Sequence, residues 1–281
     1  MEICRFEDAS SFLTSVEGLL VGHEAENCLL LGIASSLVAR PSDEKPMLVA
    51  VMDGEAPVAA AIRTPPRDLI LSYGMPSDAV EVIVDYVGES SPDLPGVLGD
   101  KEPTDRFATV WSDRQSVRPE LFRAERIHRA ARVIPPVGVE GQARESAAEE
   151  RDILEAWFPA FGRDVDEEPD ASAVKEMLEI YLSGQPYHVF LWLLGDRPVS
   201  MAALGGPTPN GARVNAVYTP AEFRNRGYAS AVTAVATQHA LDEGRRFCFL
   251  FTDLANPTSN KIYRRIGYEP VCDVSHYRFD G

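Results

Sequence analysis

The sequence predicts an α/β (α+β) chain built as two similar units in tandem. One observation is the order of periodicities over residues 145–281: helix, helix, three strands, helix, strand, helix, strand. Another is an echo between the halves, Met52-Asp53-Gly54-Glu55-Ala56-Pro57-Val58 against Leu193-Leu194-Gly195-Asp196-Arg197-Pro198-Val199. Each copy reads as strand, tight turn, strand, and repeats are sought before a fold is assigned. The third is a segment near residue 220 where an apolar strand passes through a short polar turn into an amphipathic helix.

In the first half the echoed hairpin spans residues 52–61. Residues 68–73 are the next strand and 77–87 a helix, separated by Gly74-Met75-Pro76. Residues 88–105, rich in Gly, Pro, Asp and Ser, read as loop with a short helix; 122–134 read as a strand and 135–140 as the break after it. In the second half, residues 145–161 form a helix with Ile153, Leu154, Trp157 and Phe161 on one side, and 172–183 form another. Strands follow at 187–195, 198–205 and 211–218, then helix 223–243, strand 246–252, helix 257–266 and strand 268–279. Phe247-Cys248-Phe249-Leu250-Phe251 is an unbroken apolar run suited to a strand buried on both faces. The expected domains are 1–135 and 136–281.

The segment near residue 220 carries the chemistry. Arg224-Asn225-Arg226-Gly227-Tyr228-Ala229-Ser230 opens the helix with the pattern Arg/Gln-x-x-Gly-x-Gly/Ala. Unpaired N–H groups at a helix start, with the positive end of the dipole, make a site for a pyrophosphate. Gly227 lets the backbone approach a ligand without a Cβ, and Ala229 keeps the next turn slim. Farther on, Asn256-Pro257 reads as a helix start and Gly267 as its stop.

With Asn256, Ser259, Tyr263, Gly267 and Tyr268, that helix resembles the pattern Asn-x-x-(Ala/Ser)-x-x-x-Tyr-x-x-x-Gly-(Phe/Tyr) of the GNAT superfamily of N-acetyltransferases. The 224–229 loop resembles the family's acetyl-CoA pyrophosphate loop. The resemblance covers about residues 145–281 well and 1–130 faintly. It implies a mixed, mostly antiparallel twisted sheet flanked by helices. It also implies acetyl-CoA as cosubstrate, with Val217, Tyr218, Thr219 and residues 224–230 around its pantetheine and pyrophosphate, and Asn256 and Ser259 on the pantetheine arm. Tyr263 would then lie beside the thioester sulfur as general acid, a role open to a phenol of pKa about 10. The first half has no such loop after Tyr73 and is expected to bind no CoA.

The general base is less defined. Some family members carry a glutamate eleven positions before the loop, where this chain has Arg213, with Asn215 beside it. Asp253 is a candidate, equally suited to capping the Asn256 turn; Glu222 is another, equally a solvated loop charge; a water chain to bulk is the third.

Composition sets outer bounds. A net charge of −16 over 281 residues argues against nucleic acid as a partner. Residues 213–265 are locally basic, as a polyphosphate ligand requires. No apolar stretch reaches a membrane span and no secretory signal is evident, so a cytoplasmic protein without a membrane partner is expected. Cys4, Cys28, Cys248 and Cys272 and the five histidines show no metal-ligand spacing, and no metal is expected. The expected partner is a small amine acceptor, the protein acting as monomer or homodimer. A non-catalytic acyl-CoA sensor or interaction module is the alternative, since fold does not fix function.

Overall fold

The structure, a computed structural model, describes residues 1–42, 44–166, 171–184 and 186–280, without the side chains of 171–173 and 257–259. Ten elements open the chain: β1 (Glu2–Arg5), α1 (Ala9–Val21), α2 (Cys28–Ala39), β2 (Met47–Asp53), β3 (Ala56–Arg63), β4 (Leu69–Leu71), α3 (Ser77–Ser90), β5 (Gly96–Asp100), α4 (Lys101–Gln115) and β6 (Arg118–Ala130). Ten more follow in the same order: β7 (Gln142–Glu145), α5 (Arg151–Asp164), α6 (Ala171–Leu182), β8 (His188–Leu194), β9 (Arg197–Gly205), β10 (Gly211–Tyr218), α7 (Tyr228–Asp242), β11 (Phe247–Asp253), α8 (Pro257–Arg265) and β12 (Glu269–Asp280). The duplication expected from one hairpin thus extends to the whole element order. Even the irregularities repeat: the β2–β3 hairpin shifts register between Val51 and Met52, and the β8–β9 hairpin between Trp192 and Leu193.

The chain divides into one unit of residues 1–128, 251–257 and 270–281 and another of 129–250 and 258–269. The division is not a single cut in the sequence. The last strand belongs to the first unit because β12 pairs antiparallel with β5, Val274 opposite Asp100 and Arg278 opposite Gly96.

In the first unit the strand order is β1-β2-β3-β4-β5-β12-β6. Period-two alternation sends Val49, Val51, Ala59 and Ala61 to the face covered by α3 and α4. Leu48, Ala50, Ala60 and Ile62 go to the face covered by α1 and α2, where Phe12, Val16 and Leu20 recur every fourth residue. Asp8 caps α1 by accepting from the Ser11 N–H at 2.8 Å.

Where loop with a short helix is expected at 88–105, the structure has the end of α3, the strand β5 and the start of the fifteen-residue α4. The glycines are there for close approach rather than for turning. A Cβ on Gly96 would lie 2.4 Å from the Tyr277 carbonyl oxygen. The strand expected at 122–134 begins and ends four residues earlier, as β6.

Arg126 on β6 donates to the Asp273 carboxylate on β12 at 2.6 and 2.9 Å, and this hydrogen bonding holds the carboxyl below its ordinary range. A depressed folded pKa stabilises above the unfolded value of about 3.9 and ceases to as pH falls through the folded one. Asp273→Asn is expected to cost at most about 1 kcal/mol at pH 7, the pair being one-third exposed. In thermal unfolding its deficit against the parent should shrink as the pH is taken below about 4. A constant deficit would mean that the loss comes from packing.

The second unit has strand order β11-β10-β9-β8-β7. Phe190, Trp192, Ala202 and Leu204 face α7; Val189, Leu191, Met201 and Ala203 face α5 and α6. The helix expected at 145–161 is preceded by β7 and a 3-10 turn, Ala148–Glu150. Among the described residues no helix is long and apolar enough to cross a membrane.

Candidate active site

The site is laid out by two departures from regularity in β10. The strand pairs in parallel with β11 at Gly211, Ala212 and Arg213. Its antiparallel pairing with β9 slips between Asn215 and Tyr218, around Ala216 at φ +43°. Such a bulge exchanges the faces of all that follows. Ala212 and Val214 face α7, whereas Ala216 lies in the apolar cluster under α5 with Tyr218 packed against it; Val217 now faces α7. Ser200 of β9 fastens the distorted end, donating to the Tyr218 carbonyl at 3.0 Å and lying 2.8 Å from the Thr219 hydroxyl. The sequence reading did not pick out Ser200; a serine inside the apolar run of β9 is the signal it offers.

After β10 the chain makes a 3-10 turn, Ala221–Phe223, and an extended step at Arg224. Asn225 and Gly227 then take φ +64° and +85°. These turns keep 223–227 out of the helix expected to start at 223, and α7 begins at Tyr228. No side chain caps it. Alternating left-handed residues ahead of an uncapped helix start concentrate N–H groups on an exposed concavity, an arrangement that receives an anion. A Cβ on Gly227 would meet Val139 Cγ2 at 3.1 Å, in a conformation that side chains seldom adopt. Ala229 and Ser230, half-buried, complete the first turn.

Arg224 departs from expectation. Its Nε donates to the Thr219 carbonyl at 2.9 Å and its guanidinium pairs with Asp164 of α5. That charge is committed to holding the loop against α5, whereas Arg226 is exposed and has no ion-pair partner among the described residues. Tyr218 meets Trp157 edge to face with centroids 5.8 Å apart. Its hydroxyl is pushed up by burial and, secondarily, by Asp164.

Val217, Tyr228 and Tyr263 pack into or against one apolar cluster, so the strand end, the helix start and α8 converge within the second unit. The Tyr263 ring stands edge to face with Tyr268, centroids 6.1 Å apart. Burial pushes its hydroxyl up to about 12. Gly267 ends α8 where a Cβ would lie 2.5 Å from the Arg132 carbonyl oxygen.

Asp253 and Asn256 belong to the first unit. The Asp253 carboxylate accepts from the Ala255 N–H at 2.7 Å and its carbonyl from the Asn256 N–H at 3.1 Å, so the group closes its own turn. The Ser259 side chain lies outside the described residues. Asn215 accepts from the buried Tyr181 hydroxyl at 2.7 Å.

The corresponding turn of the first unit is differently employed. After β4 the Tyr73 N–H donates to Asn27 Oδ1 at 2.8 Å and the Gly74 N–H to Asp100 Oδ2 at 3.2 Å. Side-chain oxygens thus occupy N–H groups that a phosphate would need.

Residues 150–268 match the model of the acetyltransferase (GNAT) family. A GCN5-related N-acetyltransferase from Sphaerobacter thermophilus is similar with a TM-score of 0.63 at 17% identity, over 98% of this chain and 95% of that one. One from Kribbella flavida gives 0.57 at 20% identity, over 83% and 89%. A tandem GNAT protein from the clavulanic acid biosynthesis pathway gives 0.55 at 10% identity, over 98% and 97%. No curated protein sequence matches the chain. At these identities the likeness is one of fold, and it extends over both units.

Proposed function

We propose that the chain, whose residues 150–268 match the acetyltransferase (GNAT) family model, transfers an acetyl group from acetyl-CoA to a primary amine of a small acceptor. The observation that carries this reading is the uncapped start of α7 behind the left-handed turns at Asn225 and Gly227. It supports the pyrophosphate on the N–H groups of residues 224–229. The bulged end of β10, residues 217–219, then receives the pantetheine arm, and the family pattern assigns Ser259 to the same arm.

In the reaction the neutral amine attacks the thioester carbonyl carbon, and the oxyanion that develops is stabilised by a backbone N–H of residues 217–219. Holding both reactants in place supplies much of the remaining acceleration. Collapse breaks the C–S bond and expels thiolate. Tyr263, held near 12, stays protonated throughout the neutral range. Complete proton transfer from it to a thiolate of ordinary pKa, about 8.5, runs uphill. Its contribution is therefore a hydrogen bond donated to the departing sulfur, the proton lost by the nitrogen passing to solvent.

A second reading, a non-catalytic acyl-CoA sensor, is favoured by one feature: Arg213 and Asn215 stand where a base on β10 would be, and Asp253 is engaged in its own turn. Either reading has CoA in the second unit alone, because the first unit's turn is filled by Asn27 and Asp100. Calorimetry is expected to give one acetyl-CoA per chain, and two would refute that assignment. Free thiol release over a panel of small amines distinguishes enzyme from sensor. Binding without release from any amine would leave the sensor.

A further inference from the structure

Two histidines far apart in sequence meet at the other end of α7. His188 opens β8, and His239 lies in the last turn of α7, four residues before Glu243. Their rings are 4.7 Å apart between centroids. One imidazole nitrogen from each and a Glu243 carboxylate oxygen all lie within 4.8 Å of one another. His239 Nε2 is 3.4 Å and His188 Nε2 3.9 Å from the Glu243 carboxylate. Both Nε2 atoms are buried without a hydrogen-bond partner.

Imidazole nitrogens buried in that state are costly unless something else occupies them. From this geometry we propose that His188, His239 and Glu243 bind a divalent transition-metal ion of the zinc type. The ligand chemistry fits: two imidazoles and a carboxylate are a zinc set that leaves a fourth position for water. The His188 side chain is only 6% exposed, and its Nδ1 lies 2.6 Å from the Glu145 carboxylate at the end of β7. That second contact holds the Nδ1 proton and turns the Nε2 lone pair inward, as a carboxylate behind a ligating histidine does. His239 and Glu243, each about 30% exposed, form the way in. Phe190, its ring 5.0 Å from that of His239, gives the site an apolar floor.

The helix favours this ion independently. Carbonyls at the C-terminal end of α7 attract a cation, just as its N-terminal N–H groups attract an anion. His239 stands eleven residues after Tyr228, about 16 Å along the axis at 1.5 Å per residue. The metal site is therefore apart from the proposed acetyl-transfer site. Its effect is to clamp the last turn of α7 to β8, with Glu145 bringing in β7.

The test uses the full chain stripped with a chelator and titrated with Zn2+ against a chromophoric chelator. One ion per chain is expected, with a rise in unfolding temperature of about 5 °C at a hundredfold excess over Kd. His239→Ala and Glu243→Gln change partly exposed residues and should each remove that ion and the shift. Glu145→Gln should retain the ion with about 10–100-fold weaker affinity, because it acts through His188. If His188→Ala fails to fold, those variants still decide the matter. An ion that survives both His239→Ala and Glu243→Gln, or no ion bound by the parent chain, overturns the proposal.

Discussion

Gly227→Val is expected to abolish binding of CoA and acetyl-CoA, a loss of more than about 10²-fold, with the fold retained. At φ +85° any side chain is strained, by about 1–2 kcal/mol. The first atom of that side chain already lies 3.1 Å from Val139 Cγ2. Relieving both means rotating the peptides that present N–H groups ahead of α7, so the cost falls on the anion site. Gly244→Ala is the matched control. It has φ +90° beyond the other end of α7, with nothing within 4 Å of a new Cβ. It should destabilise by a similar amount and leave CoA affinity unchanged. Calorimetry with both variants separates strain from binding, and undiminished affinity in Gly227→Val would remove the pyrophosphate from this loop.

Tyr263→Phe is expected to lower kcat by about 10²–10³-fold, the loss of one hydrogen-bond donor to developing charge, while CoA affinity stays near that of the parent. The ring keeps its place beside Tyr268 and only the hydroxyl goes. Since that hydroxyl sits near 12, the parent enzyme should show no alkaline fall in rate assignable to it between pH 7 and 10. Wild-type turnover in Tyr263→Phe, with chemistry rate-limiting, would make Tyr263 a packing residue and pass its role to water.

The loop at 224–229 was legible because its information is local: one glycine at a fixed place between strand and helix. Its boundary was not, since the helical pattern says nothing of the left-handed turns at Asn225 and Gly227 that delay α7. β5 was hidden because Gly96 and Gly99 look like loop residues, and only the Tyr277 and Leu71 carbonyls pressing on them explain their presence. The commitment of Arg224 to Asp164 spans 60 positions, and the meeting of His188 with His239 spans 51. Linear spacing cannot register either. What the sequence carried well was each element's own character; what it withheld was the partner each element finds.

The pairing of β12 with β5 fixes an order of events during synthesis. The two strands are about 170 residues apart, so at 5–20 residues per second β5 waits on the order of ten to thirty seconds for its neighbour. Throughout that interval the nascent first unit carries an open strand edge, the kind of surface that recruits other chains. Gene fragments ending near residue 135 would make that interval permanent. Their failure to stay dispersed would then reflect an edge left waiting, whatever the quality of the core behind it.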